Sequence, residues 1–134
     1  MTSTFDRKLI KRFESDLGSF FFYKNFVVSE VKANAVITYH NSCGIHELIK
    51  SHYGDTEPFV YIANRINSYS FNPTDHFRTE KIFPNLLGFA SVTYDNINDE
   101  IAELEKAFII KPVKNFQSLE MAIDWVEELL KKHK

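Results

Sequence analysis

Residues 58–84, PFVYIANRINSYSFNPTDHFRTEKIFP, carry the pattern that decides the architecture. Phe59, Val60, Tyr61, Ile62 and Ala63 form an unbroken apolar run of strand length, and a run without polar alternation is the pattern of a strand covered on both faces. The spacing therefore predicts a central strand. A polar loop follows, and its exit, Asn72-Pro73-Thr74-Asp75, reads as a helix start. Asn72 suits the cap, Pro73 the first helical position, and Asp75 the positive end of the helix dipole. Open α/β sheets bind their ligands where a central strand's carboxyl end leads into a helix N-terminus. The candidate binding loop is accordingly Asn64, Arg65, Asn67, Ser68, Tyr69, Ser70, Asn72 and Thr74. Arg65 has the fork that grips a carboxylate or phosphate, and the helix start offers free backbone donors.

Working outward, the N-terminal side alternates aromatic and β-branched runs with short polar breaks: Phe20 to Tyr23, Phe26 to Val31 and Ala35 to Tyr39. This predicts an antiparallel meander, with Asn25 supplying a positive φ in the first turn. Residues 9–13 fit either a helical stripe or a short edge strand. After Tyr39 the period changes to about 3.6, so Ile45, Leu48, Ile49, His52 and Tyr53 share a helix face, begun by Asn41 or Ser42 and stopped by Gly54. On the C-terminal side a helix from Pro73 to Phe83 closes at Pro84, and Leu86 to Tyr94 gives a second buried strand. Ile97, Ile101, Leu104 and Phe108 then form the apolar stripe of an amphipathic helix whose acidic side, including Glu103 and Glu105, faces solvent. Val113 to Phe116 is a last strand, and Ser118 caps a final helix buried through Leu119, Ala122, Ile123, Val126 and Leu130. The predicted fold is a single α/β domain over residues 18–134, with a mixed sheet. An N-terminal antiparallel meander is followed by βαβαβα parallel crossovers. Residues 1–17 form an N-terminal segment whose structure the sequence leaves open.

The chain of 134 residues has a formal charge of −2, and 13 Phe and 6 Tyr contribute to its 44% hydrophobic content. That charge excludes a general nucleic-acid binder, which needs a concentrated basic surface. No apolar segment reaches the ~20 residues of a membrane helix. One cysteine, Cys43, and charged residues before any apolar run lead us to expect a cytoplasmic protein. His40, Cys43 and His46 recur at intervals of three, but a strand end and a helix start separate them and no second cluster completes a tetrahedral site, so no metal is expected. Neither GxGxxG nor GxxxxGK[ST] occurs, no cofactor is implied, and no nucleophile and base set is recognisable, so the chain reads as non-enzymatic.

FFFYKNFVVSEV, PFVYIANRINSYSFNP, LLGFASVTY and FQSLEMAIDWV, taken in order, resemble the STAS domain, and specifically the SpoIIAA-like group of small bacterial proteins. The resemblance is one of pattern and order over nearly the whole chain. It implies a regulatory, protein-binding module, related to anti-sigma-factor antagonists, whose partner docks over residues 64–74 and the following helix. In the antagonists this loop bears a phosphorylated serine in an Asp-Ser-Ser-Gly setting. Here the quartet is Asn72-Pro73-Thr74-Asp75, so Thr74, with Ser68 and Ser70 upstream, is the candidate phosphoacceptor. The related CRAL-TRIO resemblance implies the alternative of a small carrier that holds a hydrophobic ligand or lipid, with Phe77, Phe83 and Phe89 as candidate lining.

Overall fold

The computed structural model of the chain describes residues 5–133; residues 1–4 of the N-terminal segment, and Lys134, lie outside them. In chain order the elements are β1 (Lys11–Ser15), β2 (Gly18–Phe22), β3 (Phe26–Val31), β4 (Val36–Ile37), α1 (Cys43–Tyr53), β5 (Phe59–Asn64) and β6 (Ser70–Phe71). A 3-10 turn, Pro73–Asp75, leads into α2 (His76–Ile82), followed by β7 (Leu86–Val92), α3 (Asn96–Glu105), β8 (Val113–Phe116) and α4 (Leu119–His133). Six strands form one sheet in the order β1-β2-β3-β5-β7-β8. The first three are antiparallel neighbours, and the β3–β5, β5–β7 and β7–β8 pairs are parallel.

The apolar run of β5 lies at the sheet centre, between parallel neighbours, as its lack of polar alternation predicts. Phe59 belongs to a core cluster with Phe20, Phe22, Val27, Ile45, Ile49, Tyr53, Phe83 and Leu86, on the face covered by α1 and α2. Val60 and Ile62 belong to the opposite cluster, with Val28, Ala90, Val92, Phe116 and the α4 residues Ala122 and Val126. Both faces are thus covered by helices. Ser118 Oγ accepts from the Met121 N–H at 3.2 Å and so caps α4 as its position suggests.

Residues 11–15 are an edge strand, one of the two alternatives the sequence leaves open, so the antiparallel meander is β1-β2-β3. Elsewhere the N-terminal half departs from expectation in three places. The run Ala35 to Tyr39 does not join the meander. Only Val36 and Ile37 are strand, and they pair in parallel with Ser70 and Phe71 as a separate two-stranded ribbon. Asn25 is not in the left-handed region; among the described non-glycine residues Asn34 is, at φ 65°. Asn25 instead donates through its buried side chain to Glu57 Oε1 at 3.2 Å and to the Pro58 carbonyl at 2.8 Å, tying the β2–β3 turn to the start of β5. Gly54 does stop α1, at φ 62°. Neither Asn41 nor Ser42 caps α1 through its side chain: Ser42 Oγ donates backwards to the Thr38 carbonyl at 2.7 Å, and Asn41 Oδ1 accepts from the Thr38 N–H at 2.8 Å.

The largest correction concerns α3. Its buried residues are Asn98, Ala102 and Glu105, while Ile97 and Leu104 are 71% and 72% exposed. The helix is rotated by about one residue, some 100°, from the stripe the sequence suggests, and Glu105 points inward.

Candidate functional site

Between the sheet and the α1–α2 layer lies a cavity of about 140 Å³. Its floor comes from the sheet: Phe20 on β2, Phe59, Tyr61 and Ala63 on β5, and Leu86 and Phe89 on β7. The period of two along β5 explains why Phe59, Tyr61 and Ala63 share this face while Val60 and Ile62 face α4. Ile45, His46 and Ile49 of α1 form one wall, and His76 and Thr79 of α2, with Phe83 just after it, form another. Ile37 and Phe71 of the small ribbon, with Thr38, Tyr39, Tyr69 and Asn72 beside it, form a further side of this partly open cavity. The segment that carries the polar loop thus forms part of a cavity wall.

One end of the cavity is charged. Arg65, the first residue after β5, is 4% exposed, and Glu105, the last residue of α3, is 2% exposed. Arg65 Nη2 donates to Glu105 Oε2 at 2.9 Å, while Nη1 and Oε1 face each other at 2.8 Å, off the hydrogen-bonding direction. His76 Nε2 meets Glu105 Oε2 at 2.6 Å, and Arg65 Nε donates to the Tyr69 hydroxyl at 3.2 Å. The guanidinium also sits 4.8 Å from the Phe71 ring centroid, a cation–π contact. Burial alone would push the Glu105 carboxyl up, but the His76 contact and the Arg65 charge outweigh it and hold the group below the ordinary carboxylate range. Burial works against the Arg65 charge too, and Tyr69 and Glu105 more than restore it. The cluster is therefore a closed internal ion pair.

This overturns the reading of Arg65 as a free anion fork: its charge is neutralised inside the protein. Asn64 is also turned inward, donating to Glu30 Oε2 at 3.0 Å and accepting from the Tyr94 hydroxyl at 2.6 Å. Asn67 donates to the Val31 carbonyl at 3.2 Å. Asn72 Oδ1 accepts from the Thr74 N–H at 3.1 Å and from its hydroxyl at 2.8 Å, so it caps the turn before α2. Ser68, Ser70 and Thr74 are exposed. Ser68 Oγ accepts from Asn98 Nδ2 at 3.3 Å. The structure thus sends Arg65, Tyr69 and Asn72 to the cavity wall and leaves the three hydroxyls outside. Of the three phenylalanines proposed as lining, Phe83 and Phe89 line the cavity, whereas Phe77 is exposed and packs on Phe108 at 6.0 Å.

Sequence reasoning did not single out Glu105 or His76, and it read His46 only as a weak metal ligand. Glu105 was hidden by its acidic neighbours; the signal that exposes it is the spacing Asn98, Ala102, Glu105, which is itself a helix face. His46 lines the cavity, its ring 5.8 Å from Tyr39 and 6.0 Å from Phe83. Its Nδ1 is buried with no hydrogen-bond partner among the described residues, and burial pulls its pKa down, which favours the neutral ring. Cys43 is exposed, with Sγ 3.2 Å from the Tyr39 carbonyl, and no group of three His, Cys, Asp or Glu side chains among the described residues is placed to hold a metal.

No family model matches the chain, and no curated protein matches it. Among solved structures, an uncharacterized protein of the DUF3478 family from Shewanella loihica PV-4, with a SpoIIAA-like fold, is similar to it with a TM-score of 0.57. That similarity covers 94% of this chain and 98% of the other at 14% sequence identity, a level at which likeness speaks to architecture. With the β1-β2-β3-β5-β7-β8 sheet and its helical layers, the comparison shows that this chain has the SpoIIAA-like fold its sequence pattern resembles.

Proposed function

We propose that this protein is a non-enzymatic binding module whose site is the cavity between the sheet and the α1–α2 layer, and whose ligand is a small, mainly apolar molecule. The observation that carries this reading is a cavity of about 140 Å³ lined by Phe20, Ile49, Phe59, Tyr61, Phe83 and Phe89, with its charged end already neutralised internally. A cavity of this size in an otherwise close-packed interior matches a single ring, since an apolar cavity of about 150 Å³ is enough to hold benzene. The lining hydroxyls of Ser42 and Thr79 donate to main-chain carbonyls, which argues for binding over nucleophilic chemistry. Toluene at ten times its dissociation constant should stabilise the protein by about 1.4 kcal/mol. Thermal unfolding with and without toluene measures this. The stabilisation should vanish in Ala63→Val and Ala63→Leu, which fill the cavity from β5; a parent protein that toluene leaves unchanged would sink the reading.

A second reading, a protein partner docking over residues 64–74, is supported by the exposure of Ser68, Ser70 and Thr74 on the segment that lines the cavity. Thr74 stands at the turn before α2, where a phosphate would meet the positive helix end. Capture of a partner that distinguishes Thr74→Glu from the parent would favour this reading, and equal binding to both would count against it.

A further inference from the structure

We infer that the cavity selects a single-ring molecule that carries no negative charge and bears one hydrogen-bonding group, of the phenol class, with the ring among Phe59, Tyr61, Phe83 and Phe89 and the polar group held by His46. This deepens the proposed function and rests on it. Three observations combine. The first is size, which limits the occupant to about one ring. The second is charge. An organic anion would need an unmatched cation, yet Arg65 is paired with Glu105 through two nitrogen–oxygen contacts of 2.8 and 2.9 Å. Of the lining carboxylates, Glu105 is shared by Arg65 and His76, and Glu80 accepts from the Ile110 and Lys111 N–H groups at 2.9 and 2.8 Å, while Asp75 has no ion pair among the described residues. An anionic ligand would therefore be desolvated without a counter-charge of its own, which is strongly unfavourable.

The third observation is the unsatisfied atom. His46 lines the cavity, and its Nδ1 is a buried polar atom without a protein partner, a state that native structures seldom leave unresolved. A neutral imidazole nitrogen accepts a hydrogen bond from a ligand hydroxyl in one tautomer and donates to a ligand oxygen in the other. A phenol serves both. The flanking rings of Tyr39 and Phe83, 5.8 and 6.0 Å from the imidazole, place this polar point beside aromatic surface suited to stacking a ring.

The test titrates the protein at pH 7 with toluene, phenol and benzoate, followed by amide chemical shifts. Phenol should bind about threefold to tenfold tighter than toluene, the range that one net hydrogen bond gives. Benzoate should bind at least about tenfold more weakly than phenol. His46→Leu should bring phenol down to the level of toluene while leaving toluene unchanged within about twofold. His46→Gln, which restores a polar atom, should recover part of the preference, and it keeps the test usable if the leucine variant does not fold. Benzoate matching phenol, or a phenol preference that survives His46→Leu, would overturn the inference while toluene binding still upholds the cavity as the site. Failure of all three probes to bind the parent would overturn both.

Discussion

Replacing Arg65 with leucine removes one partner of a pair whose side chains are 4% and 2% exposed. Glu105 would then be a buried carboxylate with His76 as its remaining close side-chain contact, at 2.6 Å. Breaking a buried pair from one side destabilises by about 3–5 kcal/mol, and the surviving histidine contact argues for the lower end, about 3 kcal/mol. With a urea m-value of roughly 1–3 kcal/mol per molar, the unfolding midpoint should fall by about 1 M or more. The double variant Arg65→Leu/Glu105→Leu should recover much of that loss, because exchanging both charges for apolar groups is often neutral or stabilising. Urea unfolding of the parent, both single variants and the double variant gives the coupling directly, and we expect at least about 2 kcal/mol. An exposed loop arginine would behave otherwise. Its loss would lower stability by under about 0.5 kcal/mol, and the two substitutions would add. Either result would refute the buried-pair account and return Arg65 to the surface.

The depressed Glu105 pKa sets the sign of an acid effect: its contribution to stability is complete above the unfolded-state value of about 4.3 and is lost as pH falls through the lower folded-state value. Between pH 5 and pH 3 the parent should therefore lose stability more steeply than Glu105→Gln, and parallel urea midpoints for the two would contradict this. On α3, Ile97→Ser and Leu104→Ser should each change stability by under about 0.5 kcal/mol, whereas Ala102→Leu should destabilise by about 1–3 kcal/mol through overpacking. Thermal unfolding of the three variants checks the rotation of the helix, and the reverse order would show the isoleucine stripe to be buried.

Strands β5 and β7 were legible because a long apolar run is buried wherever the sheet places it, and the alternation of strand and helix restricts the neighbours to a parallel pair. The turn cap at Asn72 and the α4 cap at Ser118 were legible for a similar reason: their hydrogen bonds reach only two and three residues along the chain. Elements whose identity depends on a distant partner were not. Val36 and Ile37 become a strand only because Ser70 and Phe71 lie beside them, and two residues carry too little pattern to announce that pairing. The candidate loop, read as a docking or anion-binding surface, lies beside a cavity, and its arginine is paired inside the protein. A buried pair between residues 65 and 105 joins positions forty apart, and no local pattern distinguishes such an arginine from a solvated one.

The rotation of α3 shows how that distant pair overrides a local pattern. Two faces compete on this helix, one with Ile97, Ile101 and Leu104 and the other with Asn98, Ala102 and Glu105, and they differ by about 100°. Burying Ile97 and Leu104 would contribute about 1.5–3 kcal/mol each. That choice would turn Glu105 outward and leave Arg65 buried without its carboxylate, a loss of about 3–5 kcal/mol, while Asn98 would forfeit its bonds to Asp95 and Ser68 at 2.9 and 3.3 Å. The two sums are of the same order, so hydrophobic pattern alone does not decide the face. What decides it is where Arg65 stands: the N–H of Arg65 bonds the Val92 carbonyl at 2.9 Å, which fixes its backbone at the end of the central strand whatever α3 does. A guanidinium anchored beside the cavity needs a counter-charge, and among the described residues it is Glu105, on the polar face of α3, that supplies one. The exposed isoleucine and leucine follow from that constraint, and so does the neutral character of the charged end of the cavity.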